Sequence, residues 1–492
     1  MRIYNIFSYI VLVVSLLCVG ACAPSVQDAK MADKKPSIFP DYQDVTIPVG
    51  VAPLNFSLNG DADRIDVTVK GSKGGSIHVA GDYADFDIDE WHQIVEENKG
   101  GDLMVTVCAL NDGEWTQYQD FNIHVSNYAL EEWGLTYRRI APGYEVYSHM
   151  GLYQRSLADF EEREIIDNTR VPGACFNCHT SNRTNPSQMV FHVRGDHGAT
   201  MIQIDGKREW LKAKNDLLGG SMVYPYWHPS GKYCAFSTNQ TRQGFHMVKE
   251  ERIEVFDLSS DIFVYNPSTH EIISDSLIMT KDWSENSPVF SADGRTLYFM
   301  TCRQQDYPAN YKQERYNLCS ISFDPDKATF GDHVDTLFNA VAMEKSLTWP
   351  RPSYDGKYIL FTLMDYGYFS VWHEESDQWL LDLATGDARP LEEANSSHAD
   401  SYHNWNVNSH WIVFTSRRDD GLYTRLYLAA IDENGHATKP FLLPQRNPRE
   451  YYGETLYSFN TPDFSSTPVD FNARHAAIEI LSDQRVETKV AK

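Results

Sequence analysis

Four stretches decide the fold: YPYWHPSGKYCAFST (224–238), NSPVFSADGRTLYFMT (286–301), TWPRPSYDGKYILFT (348–362) and YHNWNVNSHWIVFTS (402–416). Each opens on an aromatic residue or Pro. Each passes through a turn rich in Ser, Asp, Asn or Gly, adds a cationic or polar residue, and runs into an apolar strand ending in Phe. Those phenylalanines, Phe236, Phe299, Phe361 and Phe414, are spaced by 63, 62 and 53 residues. Further strand patterns follow, such as DIFVYNP (261–267), WLLDLATGD (379–387) and RLYLAAIDENG (425–435). One long repeat per set of strands, with a tight turn before the apolar run, predicts a β-propeller whose blades have four strands. NPSQMVF (185–191) fits the same frame as a fifth copy. A sixth blade is expected to draw strands from 137–155 or 446–470.

The turns Asp293-Gly294-Arg295 and Asp355-Gly356-Lys357 resemble those of the TolB-type propeller repeat, over roughly residues 185–445. Such propellers usually have six blades, and five copies are countable here. The expected fold class is therefore mainly β. An N-terminal β-sandwich precedes a short haem-binding segment and a TolB-like propeller of five to six blades at 185–470, followed by a tail at 471–492.

Upstream, residues 42–128 alternate as VTIPV, LNFSL, RIDVTVK, SIHVAG, LMVTVCAL and FNIHVS between Gly, Asn and Asp turns. This pattern predicts a small immunoglobulin-type sandwich. One helix interrupts it, capped by Asp87, with Ile88, Trp91 and Ile94 on one face and Gly100 beyond its end. Residues 129–184 read as a second unit, with strand or loop at 144–147 and 152–154 and an amphipathic helix at 157–168.

That unit ends in Cys175-Phe176-Asn177-Cys178-His179. C-x-x-C-H is the attachment motif of c-type haem. Two thiols at this spacing add across the two porphyrin vinyls, and the adjacent imidazole reaches the iron. A thioredoxin-like site would follow a buried strand, and Val171-Pro172-Gly173-Ala174 reads as a loop. A zinc site would need a second ligand pair, and Cys108 and Cys234 are isolated. One motif predicts one covalent haem c, with His179 as proximal ligand. The sixth ligand is open among His149, Met150, Met189, His192 and His197. Met150 is preferred and His192 is the alternative; methionine raises the reduction potential and histidine lowers it. Arg155 and Arg194 are candidates for the propionates.

The first 21 residues read as a signal: Arg2, an apolar run at 5–20, then Val19-Gly20-Ala21-Cys22, which resembles a bacterial lipobox. Cys22 is then the lipidated first residue, and 22–41 is the tether. Ala23 in place of Asp points to the outer membrane of the cell envelope. Export also fits the motif, because c-type haem is attached outside the cytoplasm. A net charge of −25 argues against nucleic acid and favours basic partners. Cys302 and Cys319 are candidates for a hairpin disulfide in an oxidising compartment.

The segments Met150–Arg155, Cys175–Thr180 and Met189–Gly195 together are similar to a group of Bacteroidetes lipoproteins known as TolB-like translocation or cytochrome c biogenesis proteins. The resemblance implies architecture and location. Three functions compete. In the first, a haem lipoprotein transfers electrons while the propeller holds a protein or redox partner. In the second, the propeller binds protein or glycan and the haem is structural or sensory. The third is an enzyme, with a haem peroxidase ahead of a hydrolase. His398, Asp400 and His403 could crowd a propeller mouth, as could His228 and His246. No Gly-x-Ser-x-Gly elbow supports a serine hydrolase.

Overall fold

The computed structural model describes residues 26–60, 62–141, 149–212, 214–215, 217–218, 222–246 and 251–491. The signal 1–21, Cys22 and the stretch 144–147 lie outside them. No helix among the described residues is long and apolar enough to cross a membrane.

The chain forms a six-bladed β-propeller preceded by a smaller β unit. Blade 2 is Cys175–Asn182, Asn185–Arg194, Ala199–Ile204 and Lys207–Leu211. The inner strands of blades 3 to 6 are Val223–Trp227, Trp283–Phe290, Ser346–Pro352 and Asp400–Trp405. Blade 1 draws on both ends of the repeat region. Gly134–Ile140, Gly151–Ser156 and Glu162–Asp167 pair in order, and Ser458–Ser465 adds the innermost strand against Gly134–Ile140. The ring is thus closed by a late strand hydrogen-bonded to early ones.

The repeat's turn chemistry is visible in the bonds. In blade 4, Ser291 Oγ donates to Asp293 Oδ1 (2.6 Å) and the Arg295 N–H to the same oxygen (3.0 Å). In blade 5, Ser353 and Lys357 bind Asp355 in the same way (2.6 and 3.1 Å). The glycine that follows must be left-handed, and Gly294 (φ +72°) is also packed so closely that a Cβ would meet His228 Nε2 at 2.1 Å.

Several expectations are corrected. Residues 129–184 are not a separate unit: their strands are blade 1 and the inner strand of blade 2. Accordingly, Asn185–Arg194 is the second strand of blade 2, so that blade opens ten residues before 185. The helix expected at 157–168 is a turn followed by the strand Glu162–Asp167, because pairing with Gly151–Ser156 overrides the helical propensity of its glutamates. Cys302 and Cys319 are free thiols. Cys319 sits opposite Phe299, three positions from Cys302, and an odd offset puts the two on opposite faces of blade 4. Cys302 packs with Met300 and Tyr316, and Cys319 with Phe299 and Ile321. Residues 471–492 are not a free tail. Helix Ala473–Leu481 packs on blade 2, where Glu479 receives Arg208 Nε (2.7 Å) and Trp210 Nε1 (2.8 Å), and Lys489–Val490 extends blade 3.

In the N-terminal unit, the strands join one seven-stranded sheet and a two-stranded ladder. Helix Ile88–Glu97 packs Trp91, Ile94 and Val95 into the core, and Asp87 caps it by accepting from the Asp89 and Glu90 N–H groups. That core is continuous with blades 5, 6 and 1. Tyr42 donates to the Leu442 carbonyl (3.1 Å) and Val407 N–H to Glu132 (2.6 Å), so the unit is fixed to the ring.

Candidate functional site

All six inner strands break register at the same place. The unpaired residues are Cys178-His179, Tyr224-Pro225, Ser287-Pro288, Trp349-Pro350, Tyr402-His403 and Thr461-Pro462. The first residue of each pair is left-handed, with φ of +52°, +48°, +50°, +56°, +48° and +47° in that order. Two residues against one is a β-bulge, and it turns the side chain of the first toward the propeller axis. Holding six non-glycine residues there costs free energy, so the surrounding sheets over-determine the geometry. Five of the six, all but Ser287, line a cavity of about 450 Å³ on the axis.

The C-x-x-C-H motif lies in this frame. Cys175, Asn177, Cys178 and His179 all line the cavity, as does Met150 from blade 1. Cys175 Sγ accepts from Arg138 Nη2 (3.2 Å), which also lies 3.7 Å from Met150 Sδ, so one guanidinium joins the two sulfurs. Burial raises the Cys178 thiol above its ordinary range. His179 is buried toward blade 1, beside the Thr136 carbonyl. Neither ring nitrogen makes a hydrogen bond among the described residues. Burial first, and then the Arg138 charge, lower its pKa to about 4. A buried imidazole with both nitrogens free of hydrogen bonds is unusual, and its chemistry fits a metal ligand. Among the described residues, no three His, Cys, Asp or Glu side chains converge as a metal cluster.

The other proposed ligands are placed elsewhere. His192 sits one strand farther from the axis, with Nδ1 tied to Thr200 Oγ1 (2.9 Å). His149 binds Asp167 (2.9 Å) and Tyr457 (3.1 Å), His197 binds Asp483 (2.9 Å), and Met189 is in the core behind blade 2. Arg155 donates to the Pro444 carbonyl, away from the cavity, whereas Arg194 lines it.

Sequence reasoning missed the other three arginines of the cavity, Arg138, Arg351 and Arg417. Among the described residues no carboxylate lines it, in a chain of net charge −25. Arg351 stacks on Trp349 (4.0 Å) and donates to Asn404 Oδ1 (2.9 Å) and the Pro350 carbonyl (2.8 Å). Arg417 stacks on Trp372 (3.4 Å) and donates to the carbonyls of Val371 and Leu422. Burial lowers these two to about 10 and about 9. One signal was available: Arg351 directly follows the Trp349-Pro350 bulge. Arg417 follows the end of a second strand, where nothing marks it. One wall belongs to the hairpin Cys234–Phe245 and Ile253–Asn266, longer than its counterparts, through Thr241, Gln243, Phe245, Ile253 and Val255.

No family model matches the chain, and no curated protein matches it. Among solved structures it is similar to an oligogalacturonate lyase in complex with manganese. Identity there is 11%, TM-score 0.34, over 60% of this chain and 71% of that one. It is also similar to a β-propeller domain of Cps50 (Swd1) from Myceliophteria thermophila, at 12% identity and TM-score 0.34, over 65% of this chain and 88% of that one. A third is a puromycin-hydrolysing peptidase of Mycobacterium tuberculosis, at 13% identity and TM-score 0.34, over 70% of this chain and 52% of that one. This chain therefore spans about half of that peptidase. At such values the likeness carries no argument about ligand or activity, and it is the strand order and the six repeated bulges that make this chain a six-bladed β-propeller.

Proposed function

We propose that the protein is an exported lipoprotein, anchored through Cys22 in the cell envelope at the outer membrane. It carries one covalent haem c in the axial cavity and transfers electrons, with the propeller binding the partner. The observation that carries this reading is the single C-x-x-C-H motif facing one cavity, beside the Met150 sulfur. Cys175 and Cys178 would hold the porphyrin, and His179 the iron. Met150 is the preferred sixth ligand because it lines the cavity, whereas His192 is tied to Thr200. When bound, the haem supplies one-electron chemistry. The chain's part is to exclude water with aromatic walls and to offer guanidinium groups to propionates. Among the described residues the lining holds no carboxylate and no imidazole besides His179. That favours electron transfer over a peroxidase, which needs a second acid-base group.

A pyridine haemochrome spectrum of protein made with a c-type maturation system tests this. The reading expects covalent haem and a low-spin reduced spectrum that becomes high-spin in Met150→Ala. A spectrum with no covalent haem contradicts it. One observation favours the second reading, a propeller that binds protein or glycan. His403 takes the bulge position of His179 with no thiols beside it, so the repeat alone accounts for a histidine there. In that case partner affinity survives Cys175→Ala with Cys178→Ala.

A further inference from the structure

Four buried or partly buried guanidinium groups share the axial cavity, and none makes an ion pair among the described residues. Elsewhere in the ring a part-buried arginine is paired, as Arg418 is with Asp400 (2.8 Å). An uncompensated buried charge is costly, and folds normally supply the partner. Here no carboxylate among the described residues comes within ion-pair distance, and only Asp463 and Asp420 act on Arg351 and Arg417 from farther away. Arg351 lies on the inner strand of blade 5, which stands across a six-bladed ring from blade 2 and its thiols. Arg417 follows the second strand of blade 6, next to it. Both are more than nine-tenths buried. Both are pinned by stacking on Trp349 and Trp372 and by carbonyl or amide oxygens, and in each Nη2 makes no hydrogen bond among the described residues. Arg417 also lines a smaller neighbouring pocket with Glu374 and Asp420. A guanidinium fixed by Nε and Nη1 in the wall of an aromatic cavity, with Nη2 left over, suits a carboxylate on an apolar body.

We infer that Arg351 and Arg417 form a carboxylate-recognition pair, across the cavity from Cys175 and Cys178, for an organic acid with an aromatic or macrocyclic body. Two sources share this chemistry: the propionates of a porphyrin, or a free aromatic dicarboxylate. The porphyrin source rests on the haem reading above; the free-acid source does not.

The test uses the full mature chain bearing Cys175→Ala and Cys178→Ala, so that porphyrin binding is reversible. Iron protoporphyrin, its dimethyl ester and phthalate are titrated by absorbance or calorimetry. The pair predicts that the free-acid porphyrin binds about 10- to 100-fold more tightly than the ester, the range for charged hydrogen bonds. Arg351→Gln or Arg417→Gln removes that preference without weakening the ester. Arg417→Lys keeps part of it, and matching thermal midpoints verify that the variants fold. If phthalate binds and porphyrin does not, and Arg417→Gln abolishes phthalate binding, the pair stands with the free acid as its ligand while the haem reading falls. Equal affinity for acid and ester, with no phthalate binding, overturns the pair even where the wild-type chain takes covalent haem.

Discussion

His403 and His179 occupy the bulge position that the other four inner strands give to proline. Both rings are buried with idle nitrogens, and burial holds their pKa values at about 3 and about 4. His192, also buried, is at about 3. All three lie below the usual 6.5, so the unfolded chain takes up these protons first. Their stabilisation is complete above about pH 6.5 and is lost as pH falls toward 4, at about 1.4 kcal/mol per unit for each. The haem-free protein should therefore lose thermal stability steeply between pH 6.5 and 4. His403→Pro should keep the fold, flatten that slope, and add about 0.4–1 kcal/mol at neutral pH; thermal melts across pH measure both. The motif thiols were legible as residues. Their place in a repeat was not, because Cys178-His179 replaces the aromatic-proline pair that marks the other blades.

The long hairpin of blade 3 is held to blade 5 by a buried contact. His373 is 1% exposed and sits between Glu254 (2.9 Å) and Glu375 (3.1 Å). Burial alone would lower its pKa, but hydrogen bonds and charge from both carboxylates override it and push it up to about 10. This stabilisation is fully present below about pH 6.5 and is lost as pH rises through 10. Removing one partner leaves an unpaired buried charge, so Glu254→Gln should cost about 3–5 kcal/mol near neutral pH, read by denaturant unfolding. The strand pattern of 253–266 was visible in the sequence. A contact 119 residues distant in the chain was not, since no periodicity encodes which turn a hairpin meets.

At the scale of the molecule, the ring depends on Ser458–Ser465. Truncation after residue 457 leaves blade 1 without its inner strand and exposes an open sheet edge, so that chain should aggregate rather than fold. Truncation after 470 removes only the strap, with buried Ala476, Ala477 and Ile480, and should lower stability by a few kcal/mol with the cavity intact. Size-exclusion chromatography and melting curves separate the two. The propeller was readable because its repeat carries turn chemistry and a terminal Phe. The closing strand was less so, because Thr461-Pro462 lacks the aromatic residue and the Asp-Gly turn. The arginine-lined cavity was invisible, since its guanidinium groups come from distant elements and only closure brings them together.

The central claim is that Cys175 and Cys178 carry haem inside this ring, and mass spectrometry of the peptide spanning residues 171–183 tests it most directly. The protein is expressed beside a control cytochrome in the same c-type maturation strain. The account predicts one haem per chain, on that peptide alone, lost in Cys175→Ala with Cys178→Ala. Two free, alkylatable thiols on that peptide, in cells where the control is fully loaded, would contradict it.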